Sequence, residues 1–86
     1  MKQLVTFKIS DGDHEYESYG VYDHKHSDER IIKDFFSIDE MEEDYDYSDH
    51  YWWYDDRLVS VRDRVDIDDD KIKVMKDYGV AYEHSI

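Results

Sequence analysis

The residues best suited to chemistry in this chain are carboxylates and aromatic rings, and they are concentrated in one stretch. Between Asp34 and Asp56 the sequence carries ten Asp or Glu and eight Phe, Tyr or Trp, with no Lys or Arg. Carboxylates three or four residues apart on a helix stand about 5–6 Å from one another. Two residues apart on a strand, they stand about 6.6 Å apart along one face. Either array resembles the phosphate row of a nucleic-acid strand in its charge spacing. Interleaved rings add apolar anchors and cation–π contacts to Arg, as at interface hot spots. The candidate partner-binding residues are therefore Glu42, Glu43, Asp44, Tyr45, Asp46, Tyr47, Asp49, Trp52, Trp53, Asp55 and Asp56.

The competing reading is a solvated or solubility-driven surface. Against it, the charge is concentrated rather than evenly spread, and the same segment holds rings that solubility does not require. An unpaired array of like charge also costs stability through self-repulsion, so a function is one reason to keep it. Adjacent strand residues point to opposite faces, so one of Trp52 and Trp53 fills the core and the other is available for contact. The sequence does not assign which.

Other constellations are weaker. His24-x-His26, with His14, His50 and His84 elsewhere, lacks a third ligand at a diagnostic spacing, and no metal or cofactor is expected. Asp66-x-Asp68-x-Asp70 copies the opening of a calcium loop, but Lys71 stands where the sharp turn needs Gly. Helix capping by Asp68 accounts for that run. There is no phosphate-binding Gly loop, nucleophile elbow or cysteine nucleophile, so a non-enzyme is expected.

The elements that must hold these residues are legible from periodicity. The chain has 86 residues, which predicts a single domain, 1–86. It has 24 Asp plus Glu against 11 Lys plus Arg, a formal charge of -13, yet 40% hydrophobic and 16% aromatic residues predict a folded core rather than disorder. Without cysteine, disulfides and thiolate metal sites are excluded and a cytoplasmic setting is the expectation. No signal peptide or membrane span is read, and the net charge argues against anionic lipid and against direct nucleic-acid binding. A basic protein surface is the favoured partner.

Residues 2–10 and 14–22 read as two strands turning at Asp11-Gly12. That turn sets Ser10 opposite Asp13, Ile9 opposite His14, Lys8 opposite Glu15 and Phe7 opposite Tyr16. Val5, Phe7, Ile9 and Tyr16 then share one face. Ser27 caps a helix whose apolar face is Ile31, Ile32, Phe35, Phe36 and Ile38. Ser37 with Glu40 reads as a capping box opening a second short turn that carries Met41. Residues 42–49 lack apolar periodicity apart from their tyrosines.

Tyr51 to Tyr54 reads as a strand, and Asp55-Asp56 as a tight turn. Val59, Val61, Val65 and Ile67 form the inward set of the next strand, interrupted at Asp63 by a bulge or a strand end. Asp68 caps a last helix with Ile72, Met75 and Tyr78 inward and Gly79 as its stop, followed by a tail from Val80 that can form a short edge strand. The expected fold is α+β, ββαββα: two antiparallel hairpins in one sheet with two helices on one face.

In size, charge, absence of cysteine and the acidic aromatic stretch from Asp34 to Asp56, the chain resembles the small acidic inhibitors that phages and mobile elements encode against nucleic-acid-binding machinery. These are the anti-CRISPR and antirestriction proteins and inhibitors of uracil-DNA glycosylase, several of which mimic DNA. The resemblance implies an inhibitor that is monomeric and acts by steric and electrostatic occlusion. The alternatives are an adaptor domain that self-associates through its aromatic strand, and a cation-binding module.

Overall fold

The computed structural model describes residues 1–46 and 49–86, and at Asp46 and Asp49 the backbone alone. The elements run β1 (Lys2–Asp11), β2 (His14–Asp23), α1 (Asp28–Phe36), β3 (Glu42–Asp46), β4 (Asp49–Tyr54), β5 (Arg57–Asp66) and α2 (Asp69–Asp77). The five strands make one antiparallel sheet in the order β2-β1-β5-β4-β3. The α+β class expected from the sequence is observed, with one more strand than two hairpins supply. The addition is β3, an edge strand, which needs no apolar alternation and is protected from stray pairing by its charges.

The first turn is Gly12-Asp13 rather than Asp11-Gly12. Asp11 stands opposite His14, Ile9 opposite Tyr16, Lys8 opposite Glu17 and Phe7 opposite Ser18. Only the first central residue, Gly12, has positive φ (62°), the sign pattern of a type II′ hairpin, which wants glycine in that place. The slip relative to expectation is two residues, so every side chain keeps its face.

Val5, Phe7, Ile9, Tyr22, Trp52 and Val59 meet Ile31 and Ile32 of α1 in the main core, with Phe35, Phe36, Ile38 and Met41 at its border. Gly20 permits the approach of α1, because a Cβ there would stand 3.1 Å from the Phe35 ring. Ser27 caps α1 as expected, accepting from the Arg30 amide. Ser37 does not open a second turn. It closes α1 in the left-handed conformation, φ 54°, its amide returned to the Asp34 and Lys33 carbonyls.

The two helices lie on opposite faces, not on one. Leu4 and Val21, which point away from α1, pack with Ile67, Ile72, Met75 and Ala81 in a second cluster under α2. The cause is a bulge in β5. Thr6 pairs with Asp63 and Phe7 with Val61, leaving Arg62 as the extra residue. Beyond it the inward set changes hands: Val59 faces α1, whereas Ile67 serves the α2 cluster and Val65 is exposed. Arg64 now points to the α1 side. It donates to Gln3 Oε1 (2.9 Å), Asp28 Oδ1 (2.8 Å), the His26 carbonyl (2.9 Å) and the His24 carbonyl (3.2 Å), and so ties the loop before α1 to the sheet.

Asp68 caps α2, accepting from the Lys71 amide at 2.9 Å. Tyr78 does not pack inward. It is the helix's C-cap and 80% exposed, and Ala81, returned by the turn at Gly79, fills the space against the sheet. The tail then joins the β2 edge through a parallel bridge, Val21 to Glu83, held by two 2.9 Å hydrogen bonds. His84 stacks on Tyr22 with ring centroids 4.8 Å apart. The buried Tyr22 hydroxyl donates to Asp34 Oδ2 at 2.8 Å. Burial, and then the Asp34 carboxylate, raise this phenol well above its ordinary pKa of 10.0.

Candidate protein-interaction surface

The acidic aromatic segment folds as the β3–β4 hairpin at one edge of the sheet. Glu42 stands opposite Trp53, Glu43 opposite Trp52, Asp44 opposite Tyr51, Tyr45 opposite His50, and the Asp46 backbone opposite that of Asp49. Alternation therefore divides the carboxylates between two faces. Tyr47 lies outside the described residues, as do the side chains of Asp46 and Asp49.

Glu43 and Tyr45 lie on the α1 side. Trp52, 2% exposed, belongs to the core there, which removes it from the set of contact residues. Its indole N–H is buried without a hydrogen-bond partner among the described residues. Outward from it the rings form a column, His50 at 3.9 Å from Trp52 and Tyr45 at 4.2 Å from His50, centroid to centroid. Glu43 Oε1 lies 2.8 Å from His50 Nε2. Loss of hydration and the nearby charge of Glu43, with Glu29 of α1 beyond it, raise the Tyr45 phenol above its ordinary pKa.

On the other face Trp53 is 41% exposed. It is the available tryptophan. Its indole N–H donates to Asp44 Oδ2 at 3.1 Å, and Asp44 Oδ1 accepts from the Tyr45 amide at 2.8 Å. Asp44 thus orients the indole and covers an amide of the strand that would otherwise lie bare. Each of its oxygens keeps a further lone pair, and the exposed carboxylate keeps its charge.

The carboxylates that remain are Glu42, Asp55 and Asp56, joined by Asp39 and Glu40 from the loop after α1. With Met41, Trp53, Tyr54 and Lys33 they line an open groove of about 780 Å³. None of these five carboxylates has a hydrogen bond or ion pair among the described residues. The nearest cations in sequence are committed elsewhere: Lys33 pairs with Glu29 at 3.4 Å and Arg57 with Asp11 at 3.2 Å. Asp39 and Glu40 were not among the sequence candidates, although they belong to the same cation-free stretch. Asp34, in that stretch too, is turned to Tyr22 and His84.

Asp55 and Asp56 form the β4–β5 turn, with φ of 45° and 59°. Two successive left-handed residues are the signature of a type I′ turn, where Asn-Gly or Asp-Gly is the usual pair. A left-handed conformation costs an L-residue about 1–2 kcal/mol, somewhat less for Asp.

The aromatic strand β4 is interior, paired with β3 on one side and β5 on the other, so it offers no outer edge for self-association. Among the described residues no group of three or more His, Asp or Glu is placed to hold a metal ion. No described helix is long and apolar enough to cross a membrane. No family model, curated protein or solved structure matches the chain.

Proposed function

We propose that the protein is an inhibitor that occupies a basic nucleic-acid-binding surface of another protein, acting by charge mimicry and steric occlusion. One observation carries this reading: five carboxylates without cationic partners, Asp39, Glu40, Glu42, Asp55 and Asp56, surround a half-exposed Trp53. A surface kept soluble by charge has no use for the ring, and a surface kept for stability would have paired the carboxylates. Guanidinium and ammonium groups of a nucleic-acid channel meet them as they meet phosphates, and Trp53 supplies a flat apolar face for an arginine.

Opposite charge steers encounter, so binding weakens as salt screens the field. The test titrates the protein against a panel of purified DNA- and RNA-binding enzymes, with duplex DNA and RNA as competitors. A bound enzyme should be displaced by its own nucleic acid. Its affinity should fall about tenfold or more between low salt and about 0.5 M, where screening acts within a few ångströms. Combined Glu40→Lys, Glu42→Lys and Asp55→Lys should abolish binding while the fold persists. Binding that ignores salt, competitor and charge reversal alike would sink the reading.

A further inference from the structure

The two edges of the sheet are finished differently. On β3 the Tyr45 amide is taken up by Asp44 Oδ1. The first half of β2 has no such device. Its pairing with β1 runs without a bulge and it holds no proline, two of the usual guards of an edge. The second half of β2 is in use. The Val21 amide donates to the Tyr82 carbonyl and the Val21 carbonyl accepts from the His84 amide, both at 2.9 Å, so the tail lies along this edge as an extended segment.

In a regular antiparallel strand, alternate residues turn both backbone groups to the same side. Counting back from Val21, the N–H and C=O of Tyr19, Glu17 and Glu15 also point outward, and they have no backbone partner among the described residues. Where the tail leaves the edge, a groove of about 480 Å³ opens beside them, walled by Tyr19, Phe35, Val80, Tyr82 and His84. The edge thus offers what strand addition uses: a row of bare backbone groups for affinity and a recess for a side chain.

Charge selects the occupant. Glu15 is exposed and has no ion pair among the described residues, and Glu17, shared with Arg62, lies on the same face of β2. A second copy of the chain would set these glutamates against their own kind, with a charge of -13 on each partner. A segment with cations at alternate positions meets them with opposite charge. We infer that the first half of β2 binds an extended segment of another protein, in which Lys or Arg alternates with apolar residues, added to the sheet beside Glu15, Glu17 and Tyr19. An apolar side chain of that segment enters the groove against Phe35 and Tyr82. This surface is separate from the acidic groove and does not rest on the inhibitor reading.

The experiment titrates an end-blocked Lys-Val-Lys-Val-Lys-Val peptide into the ¹⁵N-labelled protein, with the Glu-Val counterpart as control. Saturable shifts should centre on the amides of Glu15, Glu17 and Tyr19, and their hydrogen exchange should slow about tenfold or more at saturation. Two further peptides carry N-methyl groups, one on its lysines and the other on its valines. Only one row of amides faces β2, so one of the two should bind and the other should not. Glu15→Lys should weaken the Lys-Val peptide about threefold or more; the N-methyl pair carries the test without any variant. Shifts confined to Trp53, Asp55 and Asp56 would place the peptide in the acidic groove and overturn the site. So would absent shifts, equal binding of the Glu-Val peptide, both or neither N-methyl peptide binding, or affinity indifferent to Glu15→Lys.

Discussion

The chain makes two tight turns on two residues each, and it treats them oppositely. Gly12-Asp13 puts glycine where positive φ is required, and the adjoining strands carry cross-strand ion pairs, Arg57 with Asp11 and Arg62 with Glu17. Asp55-Asp56 needs positive φ at both residues and receives glycine at neither. Its carboxylates face an open groove and have no ion pair among the described residues, the lysine of the groove, Lys33, being paired with Glu29. The two turns are neighbours at one end of the sheet, where Asp11 pairs with Arg57. At the first the left-handed residue is glycine; at the second the left-handed backbone is taken by two aspartates.

The adjacent tryptophans test this division most severely. Trp52→Ala should remove about 3–5 kcal/mol of unfolding free energy, measured by urea denaturation, because it empties a fully packed site. Trp53→Ala should cost about 1 kcal/mol or less, as surface substitutions do, yet lower affinity for an identified target enzyme more than any neighbouring truncation. If the two variants lost stability equally, the groove would be part of the core rather than a surface.

The turns themselves give the next effect. Gly12→Ala should destabilise by about 1 kcal/mol, since the new Cβ must enter the left-handed region. Asp56→Gly should do the reverse, raising stability by up to about 1 kcal/mol while weakening target binding. A destabilised Asp56→Gly variant would show that the aspartate holds the turn for structural reasons.

The smallest effect concerns two tyrosines whose pKa values are both raised. Tyr22 is buried, and its folded-state pKa lies above the unfolded value near 10.0. Its contribution is therefore complete at neutral pH and is lost as pH rises past the unfolded value, where only the unfolded chain sheds the proton. Tyr22→Phe should flatten the fall in melting temperature between about pH 9 and 11. Tyr45 is 64% exposed, so solvent screens its raised pKa and Tyr45→Phe should leave the alkaline profile unchanged.

Much of this division could be read from residue order. The helices announced themselves through Ser27 and Asp68 as caps and through the spacing of Ile31, Ile32, Phe35 and Phe36. Such signals are local, each confined to one turn of chain. The cation-free stretch is the part of the chain that folds as the β3–β4 edge of the sheet. What failed to show was whatever depends on distant partners. Glu42 to Asp46 looks like a loop because an edge strand asks nothing apolar of its sequence. Ser37 looks like a helix start, since capping oxygens suit either end of a turn until the backbone is known. Only the fold decides that Asp44 accepts from Trp53 and Tyr45 while Asp39 and Glu40 line the groove without a hydrogen bond among the described residues.

The single extra residue at Arg62 has a consequence for how this sequence can change. A regular strand has one phase, and every second residue belongs to one layer. By inserting half a period, β5 gives Val59 and Val61 to the α1 layer in its first half, and delivers Ile67, just past its end, to the α2 layer. Substitutions along it alter one layer at a time. Deleting one residue between Val61 and Arg64 would restore a single phase, sending Arg64 away from His24 and His26 and lifting Ile67 from α2. In β5, length constrains the protein more than composition does.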